Sequence, residues 1–432
     1  MIILVWLNFN GGYLMSNFSF NQYPKKHFDI KSLVMRIPLF VILFAPAASF
    51  GVFYSIVFVM LMPFVFFGTR FYAKVPTLIF VYIFLFYLSF SLAKAIYFDS
   101  LADVKEMVKV FCFLVVFLSV QDKTFSYFHN LLILYLAIDF SISLMQFTHF
   151  SNYFTLIVSD LYNSKSHSEF SFSLSSVRAL GLSPGPGQHG VLAVFSFAFF
   201  IIRANYSNRT ASSYIGILLS FAIVALAQSK TAILVLLILM FIFFFLVIIT
   251  KRFTYVFMVT ICFFALFCFV FAYWDVLINT FYDLKRLTEL GLQVSSMSAR
   301  VDIWIAQISA VINSNFFLIL FGAGRSFLDN IDIYNNSFDS DYVYIFVVYG
   351  FFGVLALLIL MFYIFKNLIV FSKISDVAKI VTFVFVSGFI TSFSLDFFFD
   401  VKILTLLAYL LRVALNILNE ENAVRGGLRF KP

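Results

Sequence analysis

An all-α, polytopic membrane bundle of about twelve transmembrane helices is the fold class that this sequence predicts, and three observations carry it. Of 432 residues, 62% are hydrophobic and only 12% charged, whereas a water-soluble domain needs about a quarter of its residues charged to cover its surface. Apolar windows long enough to cross about 30 Å of hydrocarbon recur along the whole chain. Lysine and arginine gather in the loops of one side, as orientation in a membrane requires.

The windows lie near 75–93, 104–120, 126–147, 186–202, 211–228, 231–250, 253–274, 341–365, 378–395 and 400–418. The run 37–68 is too long for one ordinary span and breaks at Pro46-Ala-Ala-Ser-Phe-Gly51, which predicts two short helices joined by a tight turn. Backbone amides in lipid must be bonded internally, and runs of this length satisfy that as helices; membrane strands are about ten residues of alternating polarity.

With the N-terminus inside, 17 lysines and arginines fall on the inner side and 11 on the outer, with Arg412 within a span, which accounts for all 29. Both termini are therefore expected to be cytoplasmic. The chain reads as a single polytopic domain, 1–432. Its two long connections, 148–185 and 275–340, both fall on the outer face, so the polar mass lies on one side.

The net charge of +8 does not indicate nucleic acid, because the basic residues are scattered between apolar runs and form no stripe. Membrane lipid is the partner that they fit. Cys112, Cys262 and Cys268 lie in apolar segments without histidine at metal-ligand spacing, and read as small core residues. The run 1–7 has no basic leader and no small-residue cleavage site, so no signal peptide is expected, and Met15 offers an alternative start. The 65 phenylalanines read as lipid-facing and interhelical packing.

Within the outer loops, Arg178-Ala-Leu-Gly-Leu-Ser-Pro-Gly-Pro-Gly-Gln-His-Gly190 is the most unusual passage. Proline at 184 and 186 disfavours helix before each, so a helix starts near Pro186 and leaves 178–185 irregular. The free amides of that helix start, beside Arg178 and His189, suit a phosphate; the plainer alternative is a glycine-rich turn with Arg178 on lipid headgroups. Lys230 lies in Gln228-Ser-Lys-Thr231, which is all that separates two spans, so it stays near the membrane surface.

Ser296 to Ile312 has apolar residues at helical spacing and reads as an interfacial helix anchored by Trp304, with Arg300 in its first turn. Phe321-Gly-Ala-Gly-Arg325 follows as a flexible, cationic passage. Asp339 and Asp341 share a face in extended chain, and could hold a divalent ion or supply a general base, while Asp339 could equally cap the helix that begins near Asp341. Asp139, an ionisable group inside a span, has either a functional or a packing role. Asp396 and Asp400 sit at an outer helix turn, Arg412 can snorkel, and His149 and His167 read as solvated.

Four cations on one face, Arg178, Lys230, Arg300 and Arg325, suit a lipid-linked diphosphate, whose departure in a glycosyl transfer needs cations and a base. The order and spacing of Arg178-Ala-Leu-Gly-Leu-Ser-Pro-Gly-Pro-Gly, Ser229-Lys230-Thr231, Arg300 with Trp304, Phe321-Gly-Ala-Gly324 and the acidic edge before Tyr342 resemble those of O-antigen polymerases of the Wzy type and the related O-antigen ligases, over about 170–365. The resemblance implies a GT-C-like glycosyltransferase at the periplasmic face of the bacterial inner membrane. Its donor and acceptor would be undecaprenyl-diphosphate-linked oligosaccharides, with a chain-length regulator as a further partner and neither metal nor cofactor.

By the same resemblance, Arg178 and Arg300 match arginines that contact the donor diphosphate. Lys230 stands where the family usually has arginine, keeping the charge without the bidentate fork. The ligase pattern has a His-Asn pair where this chain reads Phe338-Asp-Ser-Asp-Tyr342, which favours polymerase over ligase and makes Asp339, Asp341 or His189 the candidate base. The rival class, a lipid-linked oligosaccharide flippase or other transporter, predicts two similar halves and charges near mid-membrane. This chain shows no internal repeat, long loops on one side only and few buried charges.

Overall fold

Among the residues it describes, a computed structural model folds the sequence's apolar runs as helices; these residues are 30–46, 50–67, 75–98, 101–122, 124–148, 150, 152–163, 178–207, 210–249, 295–325, 340–372 and 375–428. All regular structure among them is helical: α1 (Ile30–Phe44), α2 (Phe50–Phe67), α3 (Val75–Phe98), α4 (Leu101–Ser119), α5 (Ser126–Phe147), α6 (Asn152–Tyr162), α7 (Pro186–Ile202), α8 (Ala211–Ala227), α9 (Lys230–Ile249), α10 (Ser295–Ile312), α11 (Phe316–Phe321), α12 (Asp341–Ser372), α13 (Asp376–Thr391) and α14 (Val401–Leu428). The expected break after residue 44 falls between α1 and α2, where Pro46 cannot continue a helix.

Four described segments are long and apolar enough to cross a membrane: Ser126–Phe147, Pro186–Asn205, Asp341–Tyr363 and Val401–Leu418. Four shorter apolar segments, Val52–Val65, Val81–Tyr97, Ala211–Ala227 and Lys230–Phe245, accompany them. The span expected over 253–274 lies outside the described residues.

Burial separates an inner pair of helices from an outer set. Every residue of α7 from His189 to Phe200, and every residue of α14 from Val401 to Ala414, is buried. Around them, α2, α3, α8, α9 and α12 turn large apolar side chains outward, including Val59, Tyr82, Ile96, Leu218, Phe241 and Phe362. An apolar outside on this scale is stable against lipid and unstable against water. Helix α7 packs on α8, α13 and α9, and α14 packs on α4 and α13.

Three features depart from the reading of the sequence. The first long loop contains a helix, α6, whose apolar residues lie within a stretch too short to be read as a span. Helix α12 is broken inside its apolar run at Gly350, where φ is +69°. Phe321-Gly-Ala-Gly-Arg325, read as flexible, is instead docked into that break: Ala323 N donates to Val347 O at 2.8 Å and Gly324 N to Val348 O at 3.3 Å.

A side chain at Gly350 would collide with Leu320 O and Gly322 N, and one at Gly322 with the backbone of Val348, so the two glycines permit this backbone contact. Lys94, buried on α3, donates to Phe321 O at 2.9 Å and also to Val348 O. Carbonyls freed by a break at membrane depth need such a donor.

Candidate functional site

The irregular stretch 178–185 is held from three sides by buried polar groups. Helix α5 carries Asp139, Ser143 and Gln146, spaced four and three residues apart, so all lie on one face. Gln146 Oε1 accepts from Leu180 N at 2.9 Å and Gly181 N at 2.8 Å, and Asp139 Oδ1 accepts from Leu182 N at 2.8 Å. Asn163, just past α6, donates to Ser183 O at 2.6 Å, and Lys402 of α14 donates to Leu182 O at 3.1 Å. A buried loop must have its amides and carbonyls satisfied, and this one does so through side chains.

Helix α7 begins at Pro186, as the two prolines predict, with Gly185 extended before it. Its first turn presents His189, whose Nε2 lies 3.0 Å from Ser143 Oγ. Ser143 gives its own proton to Asp139 O at 2.7 Å, so the imidazole is the donor to it. Nδ1 lies 3.2 Å from Asp139 Oδ2, without the alignment of a hydrogen bond. His189 is therefore buried inside the framework that supports the loop.

At the head of that loop, Ala179 N donates to Leu226 O at 3.0 Å and Arg178 Nη2 donates to Gln228 O at 3.0 Å. Gln228 has φ +47° and closes α8, and Lys230 opens α9 two residues later. Gly190 lets α7 approach this turn, because a Cβ there would meet Ala232 Cβ at 2.6 Å and Ser229 Cβ at 3.2 Å. Arg178 and Lys230 are thus brought to one place by the fold.

Arg300 reaches the same place by another route. It lies in the second turn of α10, one turn later than expected, because the helix starts at Ser295. Its Nη1 lies 3.5 Å from Ser394 O. Ser394 Oγ in turn donates to Thr231 Oγ1 at 2.9 Å, next to Lys230.

The turn 392–400 between α13 and α14 also holds Asp341, at the start of α12. Asp341 Oδ2 accepts from Ser392 Oγ at 2.6 Å, Phe397 N at 2.9 Å and Phe398 N at 2.8 Å. Its Oδ1 is buried and makes no hydrogen bond among the described residues. Asp400, at the far end of the turn, caps α14 through Ile403 N at 3.0 Å. Sequence reasoning set this turn aside, yet it touches three of the candidate elements.

Arg325 sits on a different wall. Its backbone N donates to Asp103 Oδ1 at 2.8 Å, beside Lys94 at the corner of α3 and α4. Lys109 and Glu106 pair at 2.9 Å on α4, and the Tyr344 hydroxyl bonds Glu106. Asp341 and Tyr344, one turn apart at the start of α12, bond the turn 392–400 and Glu106, and Glu106 lies one turn from Asp103 on α4, so the two walls meet at α12.

Asp339 lies outside the described residues, so the Asp339 and Asp341 pair is represented by Asp341 alone. Among the described residues no group of three His, Cys, Asp or Glu is placed to hold a metal ion. Gln146, Asn163, Ser394, Lys94 and Lys402 escaped the sequence reading. The polar stripe of Asp139, Ser143 and Gln146 in an apolar span was the signal that could have found the first of them.

Fold and site together define a helical membrane protein with a cation-rich polar layer at one end of its bundle. Residues 215–358 match the O-antigen ligase family model. The matched third of the chain takes in Lys230, Arg300, Arg325 and Asp341, and leaves out Arg178 and His189. No curated protein matches the chain.

Proposed function

We propose that this chain is a glycosyltransferase of the O-antigen polymerase kind, joining undecaprenyl-diphosphate-linked oligosaccharide repeats at the periplasmic face of a bacterial inner membrane. The observation that supports it is the linked set Arg178, Lys230 and Arg300, gathered by the Gln228 carbonyl and the Ser394 to Thr231 bond. Three cations around two backbone turns suit a diphosphate, and charge-assisted hydrogen bonds contribute about 1.5–3 kcal/mol each. The similarity of residues 215–358 to the O-antigen ligase family supports the same substrate class. On this reading Arg325 extends the cationic surface along the second wall, and the bundle has about twelve spans.

In the proposed step, the acceptor sugar hydroxyl loses its proton to Asp341 Oδ1 and its oxygen bonds to C1 of the donor sugar. The bond from C1 to the diphosphate oxygen breaks, and the leaving diphosphate gains negative charge that Arg178, Lys230 and Arg300 offset. Asp341 is preferred over His189 because its Oδ1 lacks a donor, whereas both imidazole nitrogens face protein groups. Asp339 remains the alternative on the same edge. Both termini are then cytoplasmic, and a chain-length regulator would act on the polymer made.

Ligase activity is the second reading, because the matching family bears that description. Glycan analysis of cells lacking the gene separates the two. A lost polymerase leaves single repeats on lipid A core; a lost ligase leaves polymer on the lipid carrier and none on the core. A normal ladder of chain lengths contradicts both.

A further inference from the structure

The end of the bundle opposite the candidate site carries a second set of basic and hydroxyl groups. His129 lies 17 positions before Gln146 on α5, which is about 25 Å along a helix. There α7 passes directly into a π-helical turn, Arg203–Ser207, and α8 starts shortly after, with Thr210 at its N-cap. π turns recur where a side chain is re-aimed for function.

Three observations point to a ligand. The side chain of Thr210 does not cap α8; its Oγ1 lies 3.0 Å from both Ser213 Oγ and Ser212 Oγ, so among the described residues the amides of Ala211 and Ser212 have no side-chain acceptor. His129 is 5% exposed and Arg203 9% exposed, yet His129 Nδ1 and Arg203 Nε have no hydrogen-bond partner among the described residues. Neither pairs with a carboxylate there.

Both basic groups lie against the Phe199 ring. The Arg203 guanidinium lies 5.8 Å from the Phe199 ring centroid, and the His129 ring lies 6.4 Å from the same ring. His129 is also tied to α8, with Nε2 2.9 Å from Ser212 Oγ. Ser212 spends its proton on Thr210, so the imidazole donates at Nε2 and Nδ1 is the nitrogen left over. A guanidinium nitrogen buried without a partner is unfavourable unless an anion joins it, and the unpartnered imidazole nitrogen lies within reach of the same anion.

We infer that Arg203, His129, Ser212 and the first turn of α8 form a second site, which takes a phosphate group. The guanidinium supplies a bidentate fork, the helix start supplies amides and the positive end of its dipole, and Nδ1 donates once a proton is taken up beside the anion. The site lies at a helix end, at the level of the membrane surface, so the phosphate belongs either to an anionic lipid headgroup or to a soluble phosphate. The inference is independent of the reaction proposed for the other end.

The test uses the full-length protein purified in mild detergent, with inorganic phosphate as one probe and nanodiscs of phosphatidylglycerol against phosphatidylcholine as the other. Apparent Tm and lipid retention in native mass spectrometry are read for the wild type, Arg203→Gln, Arg203→Lys, Ser212→Ala and Arg178→Ala. The site requires that wild type and Arg178→Ala respond to at least one probe and that Arg203→Gln responds at least ten-fold more weakly, with Arg203→Lys in between. A response to phosphatidylglycerol alone assigns a headgroup, and a response to phosphate assigns the soluble ion. Should Arg203→Gln fail to fold, Ser212→Ala must weaken the response severalfold. Equal responses from wild type and a folded variant with both probes overturn the site.

Discussion

Ser394 Oγ donates to Thr231 Oγ1 at 2.9 Å, and that one bond ties the turn before α14 to the turn between α8 and α9. Arg300 holds the first turn and Arg178 the second. The bond therefore sets how far apart two of the candidate diphosphate ligands stand. Replacing Ser394 by alanine keeps the Ser394 carbonyl for Arg300 and removes only the link. A lost hydrogen bond of about 1 kcal/mol is about fivefold in rate. Transfer from lipid-linked donor at subsaturating concentration is expected to fall by that factor, and a change of less than twofold would contradict the coupling.

Asp139 tests the framework behind Arg178. Asp139→Ala leaves His189 buried without its carboxylate and Leu182 N without its acceptor. A buried amide left without its acceptor costs about 1–3 kcal/mol. A large drop in apparent Tm in detergent is expected, with Asp139→Asn milder because the amide oxygen still accepts from Leu182.

Gly181 and Gly187 give a contrast within one loop. Gly181 has φ +53°, and a Cβ there would collide with Asp139 and His189. At Gly187 the added atom meets only Leu395 Cδ2 at 2.8 Å, the end of a flexible side chain. Gly181→Ala is expected to abolish activity while Gly187→Ala retains most of it, as read from glycan chain length at matched protein levels.

Lys94 closes the broken part of α12. Lys94→Met removes the donor to Phe321 O and Val348 O; Gly324 N still bonds Val348 O, and the loss of the donor to Phe321 O costs about 1–3 kcal/mol. Faster hydrogen exchange across 316–325, with 178–185 unchanged, is the expected result.

How much of this was legible in the sequence depended on which forces act locally. Helix positions followed from apolar run length and proline: α7 starts at Pro186, where proline suits a first turn, and the division between α1 and α2 falls at Pro46, which disfavours helix in the residue before it. The tight turn at Gln228 to Lys230 was legible for the same reason, since nothing else separates two spans. The docking of Phe321 to Gly324 into the Gly350 break was not, because the first segment read as flexible and 341–365 as one unbroken span, and only their contact fixes both. The role of 392–400 was hidden too, since its value lies in backbone groups that bond Asp341 and Arg300 from elsewhere in the chain. His189 drew notice for its chemistry, whereas Asp139, Ser143 and Gln146 explain its place.

Direct binding of undecaprenyl diphosphate to the purified protein tests the central claim most directly. Wild type is compared with Arg178→Ala, Arg300→Ala and the double variant, each shown to be folded by its Tm. Loss of one charge-assisted contact of about 1.5–3 kcal/mol weakens binding at least ten-fold, and that is the result expected for each single variant, with the double variant weaker still. Equal affinity of wild type and both single variants would contradict the diphosphate site.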